Sequence, residues 1–180
     1  MDSHRRRRYE AIAEPGYVED LEGRSLEDLR ALRDECREVE NEISFERRLC
    51  HARIDILRAE IERRSGEQDQ DLLSRLPEIL GSAELRGEEA ALPSRAPDLS
   101  IPRNVDIPRR RVEEIAGEQT MTRLNQLQSD EIKEIMSNLA EHERNLSARR
   151  RKLHEVMDVI QAEIVRRYTS GEADPSVALG

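Results

Sequence analysis

The chain is almost without aromatic residues: it has no Trp, one Phe and three Tyr, 2% of 180 residues. With 38% of the residues charged, there is too little bulky apolar material for a conventional globular core, so the apolar side chains must be arranged in a line. No apolar run approaches the roughly 20 residues needed to cross a bilayer, so no membrane partner is expected. A basic excess is missing too. The net charge of −9 argues against direct DNA binding, because neutralising phosphates takes a Lys/Arg surplus on one face. Cysteine is scarce: Cys36 and Cys50 would lie about 21 Å apart on one helix, too far to bond each other. The chain is placed in a reducing cytoplasm, with both thiols as buried small hydrophobes. The basic run Arg5 to Arg8 leads into Glu14, Pro15, Gly16, Glu19 and Asp20 instead of an apolar stretch, so residues 1–23 read as a solvated, disordered tail and not as a secretory leader.

What the chain does have is periodicity. Leu29, Leu32, Cys36, Val39 and Ile43, then Cys50, Ile54, Leu57 and Ile61, alternate steps of three and four with one interruption, which is the seam of a coiled coil. Ser25 with Asp28 supplies a capping-box start and Gly66 a stop, giving a first helix over 24–65. A second seam through Ile132, Ile135, Leu139, Leu146, Leu153, Met157, Ile160 and Ile164 predicts a second helix over 126–169, followed by a disordered tail, 170–180. Between them, 66–125 is a proline-rich linker with Pro77, Pro93, Pro97, Pro102 and Pro108, partly helical near 71–80 and otherwise extended or disordered. A lone long helix with such a seam would be unstable in water, so the expected fold is all-α: an antiparallel intramolecular two-helix coiled coil, or helical hairpin. Self-association into four helices is the competing arrangement.

Sliding the chain on itself by 103 positions aligns the two helices. Glu40, Ser44, Arg47, His51 and Asp55 then recur as Glu143, Ser147, Arg150, His154 and Asp158. Steps of 4, 3, 4 and 4 at about 100° per residue keep each set within an arc of about 80°, one continuous stripe. Its centre falls about 85° round the helix from the seam, so it should flank the packed interface and face groove and solvent. Charged flanks of coiled coils are usually only solvated, their ion pairs giving a few tenths of a kcal/mol. Here flanking positions differ freely, as in Asn41 against Arg144 and Phe45 against Ala148, while the stripe is kept in identity.

Carboxylates accept hydrogen bonds, Ser and His can do both, and Arg donates in a planar fork and stacks on flat rings. Guanine fits that set: its N1 and N2 donors suit Glu or Asp, its O6 and N7 acceptors suit Arg, and phosphates suit Arg or Ser. In an antiparallel pair the copies would be related by a pseudo-twofold, with Arg47 and Arg150 near one level, which suits a twofold ligand such as a cyclic guanine dinucleotide. Two other readings stand beside this one. The stripes could belong to a structural coiled-coil adaptor with no small ligand. His51, His154, Asp55 and Asp158 could in principle bind a metal, but a flank position offers no closed cavity, so neither metal nor catalytic residues are expected.

The duplicated spacing resembles the RsiG family of cyclic-di-GMP-dependent anti-sigma factors of filamentous actinobacteria. The motif covers 16 residues twice, Glu40 to Asp55 and Glu143 to Asp158. The resemblance implies an antiparallel hairpin that binds cyclic di-GMP through Glu40, Ser44, Arg47, His51, Asp55, Glu143, Ser147, Arg150, His154 and Asp158. It further implies sequestration of a flagellar-type sigma factor of the WhiG class, which controls sporulation. The family pattern has Gln where this chain has His51 and His154.

Overall fold

The computed structural model describes residues 2–66 and 110–172, and every element among them is helical. Helix α1 (Asp2–Ala13) leads through a 3-10 turn (Pro15–Val18) into the long helix α2 (Leu26–Ser65). Two short helices, α3 (Arg111–Ala116) and α4 (Glu118–Thr122), and a 3-10 turn (Leu124–Gln126) precede the second long helix, α5 (Ser129–Thr169). The linker segment near 71–80 lies outside the described residues, as does the chain end beyond 172.

Local chemistry sets the helix ends. At the start of α2 the Asp28 amide donates to Ser25 Oγ at 3.0 Å and the Ser25 amide to Asp28 Oδ2 at 3.2 Å, a reciprocal capping box. Before α5, the Gln128 amide donates to Glu131 Oε2 at 2.6 Å. Gly66, at φ +74°, ends α2 in the left-handed region that glycine enters without strain. Gly117 separates α3 from α4 for a different reason: a Cβ there would meet the Glu113 carbonyl oxygen at 2.5 Å.

Contacts divide the chain into two units, residues 1–42 with 148–180, and residues 43–147. In the first, the leading half of α2 packs against the trailing half of α5 through Leu29, Cys36 and Val39 and through Leu153, Met157, Ile160 and Ile164, all buried. The second joins the remaining halves, with Ile43, Cys50 and Leu57 of α2 and Ile132, Leu139 and Leu146 of α5 buried. Partners run in opposite directions within each: Arg30 meets Tyr168 and Glu40 meets His154 in one, while His51 meets Glu143 and Arg64 meets Leu127 in the other. Within each unit the segments of the two long helices pack against each other in opposite directions, as in a helical hairpin.

Two expectations are corrected. Residues 8–23 do not form a solvated tail: the end of α1 and the turn pack within the first unit, burying Ile12 completely and Leu21 to 8% exposure. Tyr17 anchors the turn by donating to Glu35 Oε2 at 2.9 Å, and Tyr9 lies 5.2 Å beneath the Arg149 guanidinium. The C-terminal part of the expected linker folds as well. Val112 and Ala116 of α3 and Leu124 are buried, and Arg53 of α2 holds the Val112 carbonyl at 2.8 Å and Glu113 at 2.5 Å. Neither segment has enough apolar residues to show a period of its own; each becomes helical by packing on a long helix.

The shift of 103 positions therefore relates far more than the stripes. Arg8, Glu10, Ile12, Ala13 and Leu21 recur as Arg111, Glu113, Ile115, Ala116 and Leu124. At the other end, Glu60, Arg63 and Arg64 recur as Glu163, Arg166 and Arg167. Among the described residues, each long helix is preceded by short helical segments and a 3-10 turn, one short helix before α2 and two before α5.

Candidate functional site

Helical phase places each stripe beside the seam, and the helix pairing then brings residues of different stripes together. In the second unit Glu143 is the focus. Its Oε1 accepts from Ser147 Oγ at 2.8 Å and lies 3.2 Å from His51 Nε2 and 3.4 Å from Arg47 Nη1, both across on α2. Burial alone would push the Glu143 carboxyl up, but the hydrogen bond from Ser147, the His51 ring and the Arg47 guanidinium together outweigh it and hold the carboxyl below its usual range. The first unit repeats the theme in the opposite sense, with His154 Nε2 of α5 lying 3.4 Å from Glu40 Oε1 of α2. In both units the glutamate of one stripe meets the histidine of the other.

The remaining stripe residues are placed less alike. Asp55 is buried and accepts from Arg58 at 2.9 Å, whereas its counterpart Asp158 is exposed. Ser44 is buried at 7% exposure, Ser147 only partly, and Arg150 is partly covered. The sequence reading put both stripes toward groove and solvent; the first is largely covered instead. The Glu40 and Glu143 side chains are 15% and 18% exposed, so these carboxylates sit at the edge of the helix packing.

Two pairs went unnoticed in the sequence. Glu46, fully buried at 0% exposure, fills the interruption in the α2 seam, 2.9 Å from His142 Nε2 and 3.4 Å from the Val112 amide. Arg64 donates to the carbonyls of Leu127 and Leu124 at 2.6 and 2.9 Å, and Arg167 donates to those of Arg24 and Leu21 at 2.6 and 2.7 Å. The gap in the seam pointed to the first, and the 103-residue shift, carried beyond the stripes, would have pointed to the second.

The arrangement offers hydrogen bonding and charge, and among the described residues no group of three or more His, Cys, Asp and Glu could hold a metal ion. No helix among them is long and apolar enough to cross a membrane. The family model described as RsiG-like matches residues 15–80 and 118–179, one stripe in each region. The chain belongs to the RsiG-like family. RsiG-like proteins are regulatory anti-sigma factors and not a family of enzymes, and membership implies a sigma factor as partner. The match takes in the 3-10 turn before α2 and the helix α4 before α5, so it extends past the stripes into the short leading segments. No curated protein matches the sequence closely.

Proposed function

We propose that this RsiG-like chain binds cyclic di-GMP through its two stripes and, in that state, holds a flagellar-type sigma factor of the WhiG class inactive. The observation that carries the reading is the crossed pairing of Glu40 with His154 and of Glu143 with His51, in which the carboxylate of each stripe meets the imidazole of the other. The two stripes carry the same carboxylates, imidazole, hydroxyl and guanidinium, which suits a ligand with two equal guanine nucleotides. Carboxylates would accept from guanine N1 and N2, while Arg47 and Arg150 would stack on the base or contact phosphate. For nucleotide to control the partner, it must bind the complex more tightly than either protein alone.

Calorimetric titration of cyclic di-GMP into the chain, with and without the sigma factor, tests this. Wild type should bind, more tightly with the sigma factor present, and Arg47→Ala with Arg150→Ala should weaken binding by at least about tenfold, which either of the two charge-assisted contacts alone would account for. Sigma-factor capture that is indifferent to the nucleotide and to both substitutions would favour an adaptor without a small ligand.

A further inference from the structure

The carboxylates that the ligand would need are already occupied. Glu143 is faced by Ser147, His51 and Arg47, and Glu40 by His154. We propose that His51 and His154 are proton-operated latches, each competing with the nucleotide for the glutamate of the opposite stripe. The inference rests on the reading of the stripes as a nucleotide site and adds how that site is regulated.

The geometry makes the competition direct. The guanine donors and the imidazole would both use Glu143 or Glu40, and His51 Nε2 already lies 3.2 Å from the same oxygen that accepts from Ser147. A neutral imidazole can give that oxygen a hydrogen bond, and an imidazolium adds a charge, so the latch tightens as the histidine gains a proton. Histidine is the side chain whose charge ordinarily changes near neutral pH. The charges around each ring are mixed, so the carboxylate it faces is what a proton on it would strengthen. Facing His51 are Glu143 from α5 and, one turn to either side on α2, Arg47 and Asp55; Asp55 is engaged by Arg58, and Glu113 of α3 by Arg53. Facing His154 are Glu40 from α2 and, one turn away on α5, Arg150 and Asp158, while α1 lays Tyr9 against Arg149. A protonated ring would also attract phosphate, but only after leaving its carboxylate, and the site already supplies Arg47 and Arg150 for that role. The net effect of acid is therefore weaker binding.

The decisive experiment is the affinity for cyclic di-GMP of the full chain and of the H51Q/H154Q variant, measured at about pH 8 and about pH 5.5 to bracket the usual histidine range. Wild type should bind about fivefold more weakly at the lower pH, the combined size expected of two partly exposed pairs, and the variant should lose most of that difference. A ligand-free readout accompanies it: a double-mutant cycle of H51Q and E143Q in urea unfolding should show a coupling that is larger at the lower pH. Binding that is pH-independent, or equally pH-dependent in H51Q/H154Q, overturns the latch and leaves the nucleotide site standing. An absence of coupling in the cycle also overturns the latch. No binding at either pH, with or without the sigma factor, overturns the nucleotide site itself and with it any gating by the histidines.

Discussion

Glu46 occupies a position where the coiled-coil pattern calls for an apolar side chain, and it is completely buried. A carboxylate withdrawn from water must be matched by donors, and His142 Nε2 and the Val112 amide stand within 2.9 and 3.4 Å of its Oε1. His142→Ala should therefore cost about 1–3 kcal/mol in urea unfolding, because it strips a hydrogen-bond partner from a buried carboxyl. Replacing Glu46 and His142 together by leucine should cost less than that single change, since a buried pair can be exchanged for packed apolar groups. A Glu46→Leu/His142→Leu variant as destabilised as Glu46→Leu and His142→Leu added together would show that the pair is not coupled. The break in the α2 seam was legible in the sequence, but its content was not. A polar residue at a seam position reads as a defect until its partners are known, and these come from residues 142 and 112. The cysteines were legible: burial pushes the Cys36 thiol up to about 11 and Cys50 up to about 12, as befits small hydrophobes in the seam.

At the level of the elements, the two short leading segments are held to the ends of the long helices by arginine forks. Arg167 reaches the carbonyls of Leu21, Glu22 and Arg24, and Arg64 those of Leu124 and Leu127. Each fork is itself oriented by a glutamate four residues earlier, Glu163 at 2.8 Å and Glu60 at 2.7 Å. Arg167→Ala or Arg64→Ala should destabilise the protein by about 1–3 kcal/mol, and lysine should recover little, because a single ammonium does not reproduce the planar fork across two carbonyls. Urea unfolding of the four variants checks both statements; full recovery by lysine would reduce the fork to a point charge. The long helices could be read from periodicity and caps because their signals are local. Helix α1 could not, since its order comes from the burial of Ile12 and from Arg8 meeting Glu38 of α2 and Tyr9 meeting Arg149 of α5, and a basic segment running into Pro15 has no intrinsic reason to be ordered.

For the molecule as a whole, the titrating carboxylates set a pH window. Glu163 is held down to about 2 by hydrogen bonds from Arg166 and Arg167. Glu60 is lowered in the same way by Arg63 and Arg64, and Glu143 is lowered despite its burial by Ser147, His51 and Arg47. A carboxyl whose folded value is depressed contributes stability that is fully present above its ordinary value, 4.5 for glutamate, and is lost as pH falls through the folded one. Below that ordinary value the melting temperature should decline as acid is added toward about pH 2. Circular-dichroism melts across this range check the expectation, with Glu163→Gln showing a shallower acid decline than wild type. An unchanged slope in that variant would assign the acid sensitivity to other carboxyls. Regulation of a sigma factor also belongs to this scale. The RsiG-like match spans both halves of the chain, and each unit combines helix segments drawn from both halves.

The sequence by itself determined the two long helices, their seams and the doubled set of Glu, Ser, Arg, His and Asp, because helical phase and identity under a fixed shift depend only on residue order. Only the tertiary structure decided which residues of one stripe meet which of the other. Phase fixes the face on which a side chain lies, but the partner is set by the pairing of two helices. That pairing placed His51 against Glu143 and His154 against Glu40, and it turned the supposed tail and part of the supposed linker into packed helices.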